Sequence, residues 1–254
     1  NYDGAGRLYR VDEGDDGSYE KEYTYNGRGQ IDEIKSLGTV KIDYSYDSYG
    51  RVASVTDYTV FTQNGKAISY TYYDSGLRET MTTPDYKLTY EYDKARRLKY
   101  VYREISGVDK KLAYYTYNGL GQRTGLTRYH TDGATVKLHT QYDYLANIGW
   151  LTYVENRKQA ANPGTNVISS FKYYDSAEGD GHDCAGNREY VEFDDGSYID
   201  YTYDDRYQLD SETRKTSAGA QVYRYEWSYD DSGNREWQKR YTTSGTWSHY
   251  REYA

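Results

Sequence analysis

An all-β fold follows from three features of the chain. One is a recurring Tyr-x-Tyr-Asp-x-x-Gly-Arg-aliphatic unit, fullest at Tyr44-Ser45-Tyr46-Asp47-Ser48-Tyr49-Gly50-Arg51-Val52. The second is a further set of turn signals between its copies. The third is a composition rich in tyrosine, 37 of 254 residues, and poor in aliphatics. Internal repeats at a spacing of twenty to fifty residues set an architecture before any single element is assigned. These features predict a continuous antiparallel meander of about ten β-hairpins. Residues 1–254 read as a single array with no domain boundary. Strand twist has one hand, so the ribbon is expected to coil in one sense.

The copies run in order along the chain. The first is Tyr2-Asp3 with Gly6 and Arg7. Next come Tyr25-Asn26 with Gly29, then Tyr46-Asp47 with Gly50 and Arg51. Tyr73 takes the acid's place in the fourth. Tyr92-Asp93 and Tyr117-Asn118 follow, the latter with Gly121. The seventh and eighth turns centre near residues 144 and 180, the eighth copy being interrupted by an insertion that separates Tyr173-Tyr174-Asp175 from Gly186-Asn187-Arg188. Tyr203-Asp204 and Tyr229-Asp230, the latter with Gly233, complete the series. Between them stand Asp16-Gly17, Leu37-Gly38, Asn64-Gly65, Gly107, Asp132-Gly133, Pro163-Gly164, Asp195-Gly196, Ala218-Gly219 and Ser244-Gly245. Asn-Gly and Asp-Gly between strand-like runs mark hairpins. Two turns per unit give roughly twenty short strands.

Each unit predicts its own geometry. Asp at position i and Gly at i+3 suit a type I turn, with the Gly left-handed in a closing bulge. Gly50 and Gly121 should then have positive φ. In that register Asp3 faces Arg7, Asp47 faces Arg51 and Asp93 faces Arg97. Asn26 faces Gln30, Asn118 faces Gln122, and Tyr73 faces Leu77. Charge meets charge, amide meets amide, and apolar meets apolar, as cross-strand neighbours should. Tyr46 lies opposite Val52, Tyr25 opposite Ile31, and Tyr92 opposite Leu98 on one aromatic and aliphatic face. A second aliphatic three residues on (Val55, Ile34, Val101) breaks the period of two and calls for another bulge. Arg96, Ala146 and Tyr207 stand where other copies have Gly. Those turns are either strained or of another type.

Composition bounds the function. Leu, Ile, Val and Phe make up about 14% of the chain, a level typical of disorder. The in-register tyrosines argue for order instead, since their rings favour strands and supply apolar surface. A net charge of −8 argues against a nucleic-acid partner, which needs clustered cations. No run of eighteen apolar residues encodes a membrane-inserting helix. No charged-then-apolar leader opens the chain. The chain begins and ends inside repeats, so it is expected to be a piece of a longer repeat protein. The single cysteine, Cys184, excludes an intrachain disulfide.

No catalytic set, cofactor site or metal site is expected. His130, His139, His182 and His249 lack metal-ligand spacing. Asp175 to Asp183 places four carboxylates and two glycines in nine residues, enough oxygen to attract calcium. Its spacing is not that of an EF-hand, and a solvated insertion accounts for it as well. The aromatic ladder has two readings. The rings either stack on neighbouring hairpins or offer platforms to sugars, with Trp150, Trp227, Trp237 and Trp247 best suited to the second.

The Tyr-Asp-x-x-Gly-Arg-Leu signature, as at Tyr2-Asp3-Gly4-Ala5-Gly6-Arg7-Leu8, resembles the YD repeats, also called RHS repeats. About ten spaced copies carry the resemblance across nearly the whole chain. Relatives include bacterial RHS toxins, the shells of insecticidal toxin complexes, and teneurins. The resemblance implies a β-sheet spiralling round a hollow shell, in a secreted or cell-surface bacterial protein. The expected partners are further YD repeats of the same full-length chain, with either an encapsulated effector or a surface glycan beside them. The chain departs from the bacterial pattern in having no Asp-Pro element: its prolines, Pro84 and Pro163, follow Thr83 and Asn162. The expected role is a non-enzymatic wall segment. An adhesion module for surface glycans or a protein is the alternative.

Overall fold

The computed structural model describes residues 1–11, 20–59, 65–146, 148–159, 166–173 and 181–253. All regular structure there is β. The chain divides into two compact units, Asn1–Leu112 and Ala113–Ala254.

The first unit contains β1 (Arg10–Val11), β2 (Lys21–Tyr25), β3 (Ile31–Ser36), β4 (Thr39–Tyr46), β5 (Val52–Asp57), β6 (Lys66–Tyr72), β7 (Arg78–Thr82), β8 (Lys87–Tyr92) and β9 (Leu98–Ile105). Each strand pairs antiparallel with the next. β10 (Val108–Tyr117) enters the second unit at Ala113. There β11 (Arg123–Tyr129), β12 (Val136–Tyr144), β13 (Leu151–Lys158), β14 (Val167–Lys172), β15 (Tyr190–Phe193), β16 (Tyr198–Tyr203), β17 (Leu209–Lys215), β18 (Gln221–Tyr229), β19 (Arg235–Tyr241) and β20 (Trp247–Glu252) follow. Consecutive strands again pair antiparallel. The expected meander of hairpins is therefore present in both units.

Register agrees with the repeat. Tyr46 pairs with Val52, Tyr25 with Ile31 and Tyr92 with Leu98. Tyr44 then pairs with Val55, Tyr23 with Ile34 and Tyr90 with Val101. One strand advances two residues while its partner advances three, so a bulge sits between. That bulge keeps both aliphatics on the tyrosine face. The same shift recurs at Thr71/Tyr72, Thr116/Tyr117, Asp143/Tyr144, Thr202/Tyr203 and Ser228/Tyr229.

Two of the intervening turns, at Leu37-Gly38 and Ser106-Gly107, are two-residue loops with positive φ at both positions. That is the type I′ geometry, whose twist matches the flanking strands. Asp16-Gly17, Asn64 and Pro163-Gly164 lie outside the described residues.

Little is fully buried. Among the described residues Val101, Ala113, Leu126, Val191, Ile199 and Trp227 are the buried apolar ones, and no large side chain is sealed completely. Each unit is stabilised by side chains lying along its sheet. In the second unit that layer includes a buried ion pair, Arg157 and Glu155, 3.1 Å apart.

Candidate functional site

The recurring feature is the edge where the Tyr-Asp turns lie. At the third turn the Asp47 amide donates to the Arg51 carbonyl (2.9 Å) and the Gly50 amide to the Asp47 carbonyl (3.0 Å). Gly50 has φ 83° and Gly121 φ 85°, as the bulged turn requires. Asp47 Oδ1 accepts the amides of Tyr49 and Arg51, and Oδ2 accepts Arg51 Nε at 2.6 Å. Asp3 and Asp93 are held the same way by Arg7 and Arg97. These bonds favour the ionised form. The amide and guanidinium of Arg7 and of Arg97 hold Asp3 and Asp93 below the usual carboxylate range. Desolvation pushes Asp47 up, but the Arg51 and Tyr49 donors outweigh it and leave that carboxyl lowered as well.

The pairing code is donor to acceptor. Asn26 and Asn118 use Oδ1 for the same two amides, and their remaining nitrogen donates to Gln30 and Gln122 Oε1 at 3.3 and 2.8 Å. Arg, which has no acceptor, could not serve there. The acids Asp183 and Asp230 take their third bond from Asn187 and Asn234. Asp204 accepts the amides of Arg206 and Gln208.

The structure corrects two turn positions. The seventh turn is not centred near residue 144. Asp143 is inside β12, paired with Tyr153, and the loop runs from Leu145 to Trp150, with positive φ at Gly149. Ala146 is thus not a glycine substitute. In the eighth copy the acid is Asp183, closing onto Asn187 with Gly186 at φ 90°. The earlier Asp175 lies outside the described residues, as does most of the acidic insertion Asp175–Asp183. Arg96 and Tyr207 do occupy the glycine position, with φ 63° and 61°, so both turns carry strain. Arg96 is anchored by its guanidinium, which donates to the Ser75 carbonyl of the preceding turn at 2.6 Å.

A contact that sequence reasoning missed links one hairpin to the next. The tyrosine just before a turn donates its hydroxyl to a backbone carbonyl in the preceding unit at seven of the turns. Tyr25 reaches Leu8, Tyr46 reaches Ile31, Tyr72 reaches Val52 and Tyr92 reaches Arg78 (2.5, 2.5, 2.7 and 3.0 Å). Tyr144 reaches Arg123, Tyr203 reaches Arg188 and Tyr229 reaches Leu209 (2.9, 2.7 and 3.0 Å). Each acceptor is the residue paired with the previous ladder position. Leu8 pairs with Tyr2, Arg123 with Tyr117, and Arg188 with His182 standing in the ladder place.

The bulge explains why these carbonyls are available. β5 pairs with β6 only from Ser54 onward, two residues past Val52, so the Val52 carbonyl faces a gap that Tyr72 fills. A phenylalanine would stack equally well and leave the acceptor unsatisfied.

Further bonds run from turn to turn. Gln30 and Gln122 donate to the carbonyls of Gly50 and Gly149 (2.7 and 2.6 Å), and Arg28 to Ser48 (3.0 Å). Arg7 and Arg51 also lie over the rings of Tyr25 and Tyr72, at 4.3 and 4.5 Å.

The tryptophan platforms fare unevenly. Trp227 is 7% exposed and stacks on Tyr225, so it is unavailable to a sugar. Trp150 packs against His182 and Trp237 lies under Lys239, while Trp247 is open. Among the described residues no three His, Cys, Asp or Glu side chains are grouped to hold a metal ion.

The fold is similar to that of several solved structures. Against TcdB2-TccC3-Cdc42 the TM-score is 0.71 at 17% identity, covering 99% of this chain and 14% of that one. Against TcdB2-TccC3-TEV it is 0.72, and against TcdB2-TccC3 without its hypervariable C-terminal region 0.71, with the same identity and coverage. At this identity the likeness establishes the fold. This chain spans 14% of the length of those chains. No family model matches the sequence, and no curated protein matches it.

Proposed function

We propose that this chain is a non-enzymatic structural segment of a YD-repeat wall in a large secreted or cell-surface bacterial protein. In this reading both units belong to one array, coiled into a spiral or hollow ribbon. Its neighbours are further YD repeats of the same full-length chain, and an effector lies inside.

The observation that carries the reading is the tyrosine clasp. At least seven times among the described residues, one hairpin secures the next by the same bond between equivalent atoms. Such a rule extends a sheet hairpin by hairpin and has no preferred stopping point, as a wall requires. The fold likeness to TcdB2-TccC3 supports it, as does the sequence resemblance to repeat shells.

Electron cryomicroscopy of the full-length protein tests this directly, together with protease treatment. The expected result is a coiled wall whose enclosed segment resists protease until the wall is opened. A flat array that shields nothing would overturn the proposal. The glycan-adhesion alternative loses Trp227 to burial. Binding on a glycan array that Trp247→Ala abolishes would restore it.

A further inference from the structure

Arginine use singles out one place on the second unit. Every arginine but Arg128 among the described residues is held by a carboxylate, a carbonyl or an aromatic ring. Asp3 holds Arg7, Glu155 holds Arg157, Phe193 lies 3.9 Å from Arg214, and Trp227 lies 5.6 Å from Arg235. Arg128 has no such partner, and neither do Lys137 and Lys158 beside it. These three and His130 surround a cavity of about 420 Å³ at the edge opposite the Tyr-Asp turns. Its floor is aliphatic: Leu138 and Ile168, the latter 47% exposed.

Strand register explains the grouping. Arg128 pairs with Leu138, and Leu138 with Lys158, so the three share one face. Lys137 and Ile168 each fall at a bulge, where the register shifts by one, and a bulge re-aims its side chain.

Among the described residues that line the cavity there is no carboxylate. Asp132, on the neighbouring loop, already accepts the amides of Ala134 and Thr135 and the Thr135 hydroxyl. Residues 160–165, which join β13 to β14, are uncharged in sequence. Among the described residues Arg128, Lys137 and Lys158 thus stand beside an aliphatic floor without an ion-pair partner, and the nearby Asp132 acts on His130, in a chain of net charge −8.

We propose that this notch docks an acidic peptide segment of another protein, seating one aliphatic side chain between Leu138 and Ile168 with flanking carboxylates on Arg128, Lys137 and Lys158. Arginine is well matched to carboxylate because its planar fork donates two parallel bonds. The aliphatic floor selects against single-stranded nucleic acid, whose bases want aromatic platforms. Three cations on an acidic chain also fall short of the polybasic cluster that binds anionic lipid.

The test uses the 254-residue chain with isotope-labelled methyl groups and the capped peptide Asp-Glu-Leu-Glu-Asp. The peptide should shift the methyl signals of Leu138 and Ile168. Affinity should fall about tenfold in the double variant Arg128→Glu, Lys158→Glu, as charge reversal at a docking rim implies. It should also weaken as salt rises from about 50 to 300 mM, because exposed charges are screened. Both substituted side chains are exposed, and unchanged circular dichroism would confirm folding. Replacing the peptide's leucine with glycine probes the floor without touching the protein and should weaken binding severalfold. Unshifted methyls, or equal binding by the double variant or the glycine peptide, would overturn the proposal. Tighter binding of an oligonucleotide or an anionic vesicle at the same methyls would also overturn it.

Discussion

The turn at Asp47–Arg51 and the turn at Leu145–Trp150 do the same job with different chemistry. The first is closed by a carboxylate that accepts two amides and a guanidinium. The second has neither acid nor cation in those places and is one residue longer, closed by the Leu145 amide on the Trp150 carbonyl. Yet the strands on either side behave alike. Tyr46 pairs with Val52 and Tyr144 with Leu151, each beside a one-residue bulge. Each tyrosine sends its hydroxyl to the equivalent carbonyl of the preceding hairpin, Ile31 or Arg123. The turn is therefore exchangeable, while bulge and clasp persist. What propagates the sheet is the link between hairpins, and the Asp-Gly signature is one of several ways to end a strand.

The largest expected effect separates the two turns by backbone. Gly50→Val puts a β-branched residue at φ 83° and should cost roughly 1–3 kcal/mol. Ala146→Val should cost almost nothing, because Ala146 does not have positive φ. Chemical unfolding of the two variants checks the contrast. Hydrogen exchange on Gly50→Val should lose protection around residues 40–60 and keep it near 200, because each hairpin contacts mainly its neighbours. Uniform loss along the chain would point to one cooperative core.

Next in size is the clasp. Tyr46→Phe and Tyr144→Phe each remove one hydroxyl from a backbone carbonyl, Ile31 in a part-buried setting and Arg123 in an exposed one. Tyr46→Phe should cost about 1 kcal/mol, and Tyr144→Phe less, because water can reach the freed acceptor. An equal or larger loss at Tyr144 would mean that the clasp acts independently of its exposure.

Much of this was legible in the sequence because local rules decide it. A period of two, interrupted once per unit, gave the pairing of Tyr46 with Val52 and the bulge after it. Turn chemistry gave the positive φ at Gly50 and Gly121. The errors have physical causes too. Tyr142-Asp143 looks like a turn signature, but Tyr144 continues the ladder and keeps Asp143 in the strand. Gly149 was the available sign. Asp183 with Gly186 and Asn187 fits the turn spacing better than Asp175 does. The clasp was invisible for a deeper reason: the tyrosine's partner is a carbonyl fourteen to twenty-one residues away, freed by a bulge in another hairpin. Sequence shows the ring but not the acceptor.

Arg51 offers a smaller effect. Its pair with Asp47 is partly exposed, and such pairs contribute about 0–1 kcal/mol. Arg51 also covers Tyr72 and donates to the Tyr73 carbonyl at 3.3 Å. Arg51→Gln should therefore lower the unfolding midpoint slightly, and moderate salt should shrink the difference only in part. A loss of several kcal/mol would place the pair in a far drier setting than its exposure indicates.

The smallest effect is the response to acid, and it divides the turns by titratable group. Asp3, Asp47 and Asp93 are all held below the usual carboxylate range by their turn donors, against desolvation in the case of Asp47. A carboxyl lowered on folding contributes its full stabilisation above its unfolded value of about 3.9. It loses that contribution as pH falls through the lower folded value. The Leu145–Trp150 turn has no carboxylate to protonate, and the turn at Asn26 has an amide in the same place. Amide signals followed by nuclear magnetic resonance from about pH 5.5 down to 2, across the carboxylate range, should show Gly50 moving while Gly29 and Gly149 hold. Asp47→Asn should flatten the response at Gly50. If all three glycines moved together, acid would be acting through a shared transition. The turn carboxylates would then have no separate part in holding their own loops.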